Sequence, residues 1–199
     1  MNVGAIILAA GRSSRFDAGH KLLADAGDGP LIARVVTAVA ASEAADLVLV
    51  TAPEGGRIVA AAGPGRWRAI VNEDAGGGLS SSIRTGVAAL ASDTSGALVV
   101  LADMPGVSSP LISKLIAAFE ASSGEAIVYP VSADGRQGHP VLWPRALFGE
   151  LMALSGDKGG KALIDAHHDL ARPILVDGDA TFLDIDTTAD LEAYKATRP

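Results

Sequence analysis

Apolar positions along the chain fall into two periods. Val3–Ala9 is an unbroken apolar run, the pattern of a strand buried on both faces of a parallel sheet. Leu47–Val50, Trp67–Val71, Ala97–Ala102, Ala126–Val131 and Pro173–Val176 read as further strands, each bounded by turn residues. Between them lie helical stretches. Pro30 stands at the first position of a helix from Leu31 to Ala41, and Pro53 opens a second that runs to Ala62. Ser80–Ser82 lead into a third, whose Ile83, Val87 and Leu90 share one face, and further helices are predicted over 109–121, 144–154, 161–168 and 187–195. Gly138–Trp143 is expected to pair back antiparallel. This alternation predicts an α/β fold with a doubly wound, mostly parallel but mixed, Rossmann-like sheet, and ligands at the carboxyl ends of its strands.

Those strand ends carry the chemistry. Ala10, Gly11, Ser13 and Ser14 let a ligand approach the backbone after the first strand, and Arg12, Arg15 and Lys21 bring three cations to the same loop. Such a loop suits an anionic, phosphate-bearing ligand, although a solvated basic loop has the same composition. Gly76–Gly78 before Ser80–Ser82 forms a second glycine-rich loop, where the serines can cap the helix or help receive an anion or a ribose. Asp103 ends the most hydrophobic strand; it reads either as a Mg²⁺ ligand or as the cap of the next helix. Asp184 and Asp186 share a face of an extended segment, as metal or hydroxyl ligands or as plain surface acidity. His139 can contact a ligand or be structural; His167 and His168 are adjacent and cannot face one site.

Composition narrows the classes. The 199 residues suit one domain over 1–199, with no need of covalent staples. No cysteine is present, which excludes disulfides and thiolate metal sites. A net charge of −7 and only 4% aromatic residues argue against a nucleic-acid partner, so any phosphate must be held by a local cationic site. The absence of a basic leader and of a long apolar run predicts a cytoplasmic protein with no membrane partner. Neither G-x-G-x-x-G nor G-K-[ST] follows Gly11, so a dinucleotide oxidoreductase and a Walker-type site lack their fingerprints.

Leu8-Ala9-Ala10-Gly11, Ser14-Arg15-Phe16 and Lys21-Leu22-Leu23 resemble the signature loop of sugar-nucleotide-type nucleotidyltransferases. With Gly78–Arg84, Leu101–Pro105, Gly138–Val141 and Asp184–Thr187, the order and spacing resemble the molybdenum cofactor cytidylyltransferases among the MobA-like nucleotidyltransferases. The resemblance covers nearly the whole chain and implies transfer of CMP from CTP to the phosphate of molybdopterin or its molybdenum form. It further implies that Leu8, Ala9, Ala10, Gly11, Arg12 and Ser14 hold the triphosphate, and that Gly78, Leu79, Ser80, Ser81 and Ser82 hold base and ribose. Arg15, Lys21 and Asp103 would be catalytic, with Asp103 and Asp186 on Mg²⁺ or Mn²⁺. Gly138, His139, Pro140 and Asp184, with Asp186 beside them, would face the acceptor, and a molybdoenzyme or its chaperone would be the client. Two departures concern substrate detail: His139 stands where the family often has Asn, and Asp17–His20 replaces a glycine-rich spacer. GTP with the same pterin, a sugar-phosphate acceptor, and a non-catalytic carrier of the nucleotide-bearing cofactor are the alternatives.

Overall fold

The computed structural model describes residues 1–11, 13, 16, 19–157 and 159–196. The strands β1 (Val3–Ala9), β2 (Asp46–Thr51), β3 (Arg68–Val71), β4 (Gly96–Leu101), β5 (Ile127–Val131), β6 (Val141–Pro144) and β7 (Ala171–Leu175) form one sheet. Their order is β3-β2-β1-β4-β6-β5-β7, and all neighbours run parallel except β6, which is antiparallel to both β4 and β5. The chain therefore has the expected α/β fold with a mostly parallel, mixed sheet, and β6 is the antiparallel insertion that Gly138–Trp143 foretold. The order reverses at β1, where the chain winds outward to β2 and β3 and then returns to β4. The carboxyl ends of β1 and β4 thus flank the crevice where ligands of such sheets bind.

Seven helices cover the described sheet: α1 (Leu31–Ala40), α2 (Gly56–Ala61), α3 (Leu79–Ala89), α4 (Ser109–Ala121), α5 (Phe148–Ala153), α6 (Lys161–Ala166) and α7 (Thr188–Ala196). Every residue of β1 is buried, and its side chains divide between two cores. Val3, Ala5, Ile7 and Ala9 join α1, α4 and α7 on one face, through Leu31, Val35, Ile112 and Leu191. Ile6 and Leu8 join α3, α5 and α6 on the other, through Ile83, Leu151 and Ile164. Burying each such Ile or Leu stabilises the fold by roughly 1.5–3 kcal/mol, so the apolar run makes β1 the anchor of both layers. A Cβ at Gly86 would run into the Ile6 side chain, so this glycine lets α3 lie close on β1 and brings the first turn of α3 beside the β1 loop.

Three helix starts differ most from the sequence expectation. Pro53 lies in a turn closed by Gly55 N–H donating to Ala52 O at 2.9 Å, and α2 starts at Gly56. Pro144 ends β6, and a 3₁₀ turn, Arg145–Leu147, precedes α5. Gly78 is the N-cap of α3, so the serines expected to cap it sit inside its first turn. Among the described residues no helix is long and apolar enough to cross a membrane.

Candidate active site

Lys21 opens a 3₁₀ turn, Lys21–Leu23, anchored by the buried Leu22 and capped by His20, whose Nδ1 accepts from Leu22 N–H at 3.3 Å. The ammonium of Lys21 reaches Asp103 Oδ2 at 2.6 Å and Asp186 Oδ1 at 3.0 Å. Burial would lower the pKa of that ammonium, but the charge and hydrogen bonds of Asp103 and Asp186 outweigh it and the net shift is upward. Asp103 does not cap the next helix: α4 takes Ser108 as its N-cap, accepting from Leu111 N–H at 3.4 Å. That frees the Asp103 carboxylate for the crevice.

The C-terminal segment is held against Asp103 by its backbone. Ile185 is fully buried and its N–H donates to Asp103 O at 3.0 Å, so Asp184 and Asp186, on either side of it, point the same way. A Cβ at Gly106 would collide with the Ala180 carbonyl, so a glycine is needed where the turn Ala180–Phe182 crosses the loop after β4. Thr187 and Asp190 then exchange hydrogen bonds, Asp190 Oδ2 accepting from Thr187 N–H at 2.7 Å, and start α7. One carboxylate oxygen each from Asp103, Asp184 and Asp186 lie within 4.8 Å of one another. Partial burial, with the charges of Asp103 and Asp186 beside it, pushes the Asp184 carboxyl up to about 6. Asp184, expected at the acceptor, is thus a member of the carboxylate cluster with the two expected metal ligands.

Two clefts open beside this cluster. The first, about 340 Å³, is lined by Leu8–Gly11, Lys21, Leu22, Gly76, Gly78, Leu79, Ser82, Asp103 and Asp157. The second, about 550 Å³, is lined by Arg136–His139, Val141, Trp143, Gly159–Lys161 and Phe182. They share Leu8, Leu79 and Leu101 as a common wall. Ser80 and Ser81 line neither cleft; both are buried under the glycine loop. Ser81 Oγ donates to Gly78 O at 2.8 Å, and Asn72 Nδ2 donates to Ser81 Oγ and Ser82 Oγ at 2.9 and 3.1 Å. Their observed work is to shape the loop. Gly138 and His139 line the second cleft, Pro140 does not. Burial lowers the His139 pKa against a hydrogen bond that the ring donates to the Val99 backbone carbonyl and against the Asp103 charge, so the neutral imidazole is favoured and brings no cation to a phosphate. Arg12, Ser14 and Arg15 lie outside the described residues.

Three residues with work at the site escaped the sequence reading. Asn72, at the end of β3, ties the serine turn together. Arg84 donates to Leu154 O at 2.6 Å and pairs with Asp74 at 3.4 Å, fastening the chain after α5 to α3. Asp157 stands in the wall of the first cleft. Only the position of Arg84 off the apolar stripe of its helix was a signal; the other two depend on contacts distant in sequence.

Comparison with known proteins agrees with this architecture. The family model for the MobA-like NTP transferase domain matches residues 5–170. The solved structure of Rv0371c from Mycobacterium tuberculosis H37Rv superposes with a TM-score of 0.86 at 27% identity, over 99% of both chains. A second structure of that protein, in complex with manganese, gives 0.84 at 27% identity, over 100% of both chains. Among curated proteins, the Bifunctional protein GlmU of Leifsonia xyli subsp. xyli is 36% identical over 140 residues, 67% of this chain but only 29% of that protein's length. Nicotine blue oxidoreductase of Paenarthrobacter nicotinovorans is 26% identical over 194 residues, 95% of this chain and 94% of the relative.

Proposed function

The chain belongs to the MobA-like NTP transferase family, and from that premise we propose that it transfers CMP from CTP to the phosphate of molybdopterin or its molybdenum-loaded form. The observation that carries this reading is one charge centre, Lys21 between Asp103 and Asp186, beside two clefts that share a wall. A donor and an acceptor can then meet at that wall. The acceptor phosphate is already anionic and needs no general base; its oxygen forms a bond to the α-phosphorus while the bond to the β-phosphate oxygen breaks and pyrophosphate leaves. Catalysis is in-line positioning and neutralisation of charge. In this reading Leu8–Gly11 with Arg12, Ser14 and Arg15 cradle the triphosphate, Lys21 compensates the charge growing on pyrophosphate, and Gly78–Ser82 form the seat of base and ribose.

The donor set fits a hard divalent cation, being three carboxylate oxygens close enough to converge with small side-chain movements. Asp103, Asp184 and Asp186 would hold Mg²⁺ or Mn²⁺, whose chemistry when bound is to neutralise phosphate oxygens. The manganese complex of Rv0371c supports the assignment. The acceptor cleft would use Gly138 and His139 in its wall. A carrier without catalysis has no use for Lys21 and Asp103 held together.

The full-length likeness to Nicotine blue oxidoreductase favours a second reading, oxidoreduction. One panel separates the two: pyrophosphate release with each NTP, with and without the pterin acceptor and divalent metal, beside the absorbance of nicotinamide dinucleotide under the same conditions. Acceptor- and metal-dependent pyrophosphate with CTP supports the first reading. Dinucleotide turnover without pyrophosphate supports the second.

A further inference from the structure

Of the carboxylates around the first cleft, Asp103 pairs with Lys21 and Asp74 with Arg84, whereas Asp157 has no ion-pair partner among the described residues. It stands where the sequence suggested an anion nest. That nest is already closed: Gly156 O accepts from Ser80 N–H at 3.2 Å in the first turn of α3, and a Cβ at Gly78 would run into both the Gly156 backbone and the Asp157 carboxylate. The position is fixed from behind by Arg84, which holds Leu154 O at 2.6 Å. A carboxylate repels phosphate, so this wall of the cleft suits a ligand portion that donates hydrogen bonds. Among the described residues of the same cleft, the cation is Lys21, on the β1 side. A nucleotide whose phosphates go to Lys21 therefore presents its nucleoside to the glycine loop and Asp157.

We infer that Asp157 reads the nucleobase, accepting from an exocyclic amino group and rejecting uracil, whose carbonyl at that position would face the carboxylate. This deepens the nucleotidyl-transfer reading and rests on it: a carboxylate accepts from the N4 amino group of cytosine but offers no proton to O4 of uracil. Asp157→Asn converts the acceptor into an amide that can also donate, and so removes the discrimination without removing the side chain.

The test is calorimetric affinity of CTP, UTP and dCTP for the whole chain and for Asp157→Asn and Asp157→Ala, with melting temperature as the control for folding. Wild type should prefer CTP to UTP on the order of 10- to 100-fold, the worth of one charge-assisted hydrogen bond, and both variants should bring that ratio near one. An unchanged CTP/UTP ratio in Asp157→Asn overturns the inference and leaves nucleotide binding intact. So does an equal loss for CTP and UTP with a changed CTP/dCTP ratio, which would assign Asp157 to the ribose. Wild type that binds no NTP at all would instead overturn the nucleotide reading beneath it.

Discussion

Lys21→Met keeps the length of the side chain and removes its charge, and the geometry predicts opposite effects on metal binding and turnover. The ammonium lies 2.6 and 3.0 Å from oxygens of two of the three carboxylates that would hold the metal, so lysine and metal compete for the same lone pairs. Without Lys21 the repulsion among the three carboxylates loses the compensation that its ammonium supplies. Removing one partner of a fully buried pair costs about 3–5 kcal/mol. Here the Asp103 and Asp186 side chains are 22% and 25% exposed and partly screened. We therefore expect a loss of roughly 1–2 kcal/mol in metal-free stability. Mn²⁺ affinity should rise about tenfold or more, roughly 1.4 kcal/mol, because the competing cation is gone. Turnover should nevertheless fall by about 10²–10³, the usual cost of losing one stabilising group at a developing charge. Calorimetric titration with Mn²⁺ beside steady-state pyrophosphate release reads both signs. Unchanged or weaker Mn²⁺ binding would refute the shared-ligand geometry, and wild-type turnover would remove Lys21 from the reaction.

Further outcomes follow from particular residues. Asp184 carries a pKa raised to about 6, above its unfolded value, so it contributes stability while protonated and loses that contribution as pH rises from about 4 to about 6. Asp184→Asn should therefore stabilise the metal-free protein by about 1 kcal/mol at pH 7, after allowance for solvent screening, and change nothing at about pH 3; urea denaturation at the two pH values checks the sign. Since a ligating carboxyl must be deprotonated, Mn²⁺ affinity of the unmodified protein should weaken as pH drops below about 6, measurable by the same titration. Asp103→Asn should cut turnover on the order of 10³ with little change in melting temperature, whereas Ser108→Ala should cost about 1 kcal/mol of stability through the lost α4 cap and leave turnover unchanged. Gly78, at φ +81° against the Gly156 backbone, admits no side chain, so Gly78→Ala should both lower the melting temperature and weaken CTP binding, read by thermal unfolding and calorimetry.

The legible parts of the fold were those set by local pattern. The apolar run Val3–Ala9 is a strand buried on both faces, and Gly138–Trp143 holds the antiparallel insertion, because buried strands show as continuous apolar runs whatever their neighbours. Helix starts were less legible. Serines before an apolar stripe have the composition of a cap, but the positive φ of Gly78, packed against Gly156, moved the start of α3 ahead of them. Lys21 and Asp103 were readable as strand-end chemistry and Asp186 as one of two carboxylates on an extended segment, and the structure brings Lys21 into contact with both aspartates, Asp186 across 165 residues of sequence. The resemblance places Asp184 at the acceptor, while periodicity only puts it on the Asp186 face without saying what lies opposite; the Ile185 hydrogen bond to Asp103 turns that face into the carboxylate cluster. Asn72 and Asp157 carried no local signal, since their work depends on contacts with α3 made from elsewhere in the chain.

The central claim is attack on the α-phosphorus at the wall shared by two clefts, and positional labelling tests it most directly. CTP labelled at the α- or the γ-phosphate would be incubated with the protein, divalent metal and the pterin acceptor in a single turnover, and the products separated. The α-label should appear in the acceptor adduct and the γ-label wholly in pyrophosphate. Label from the γ-position in the acceptor, or intact CTP after complete conversion of a dinucleotide, would contradict it.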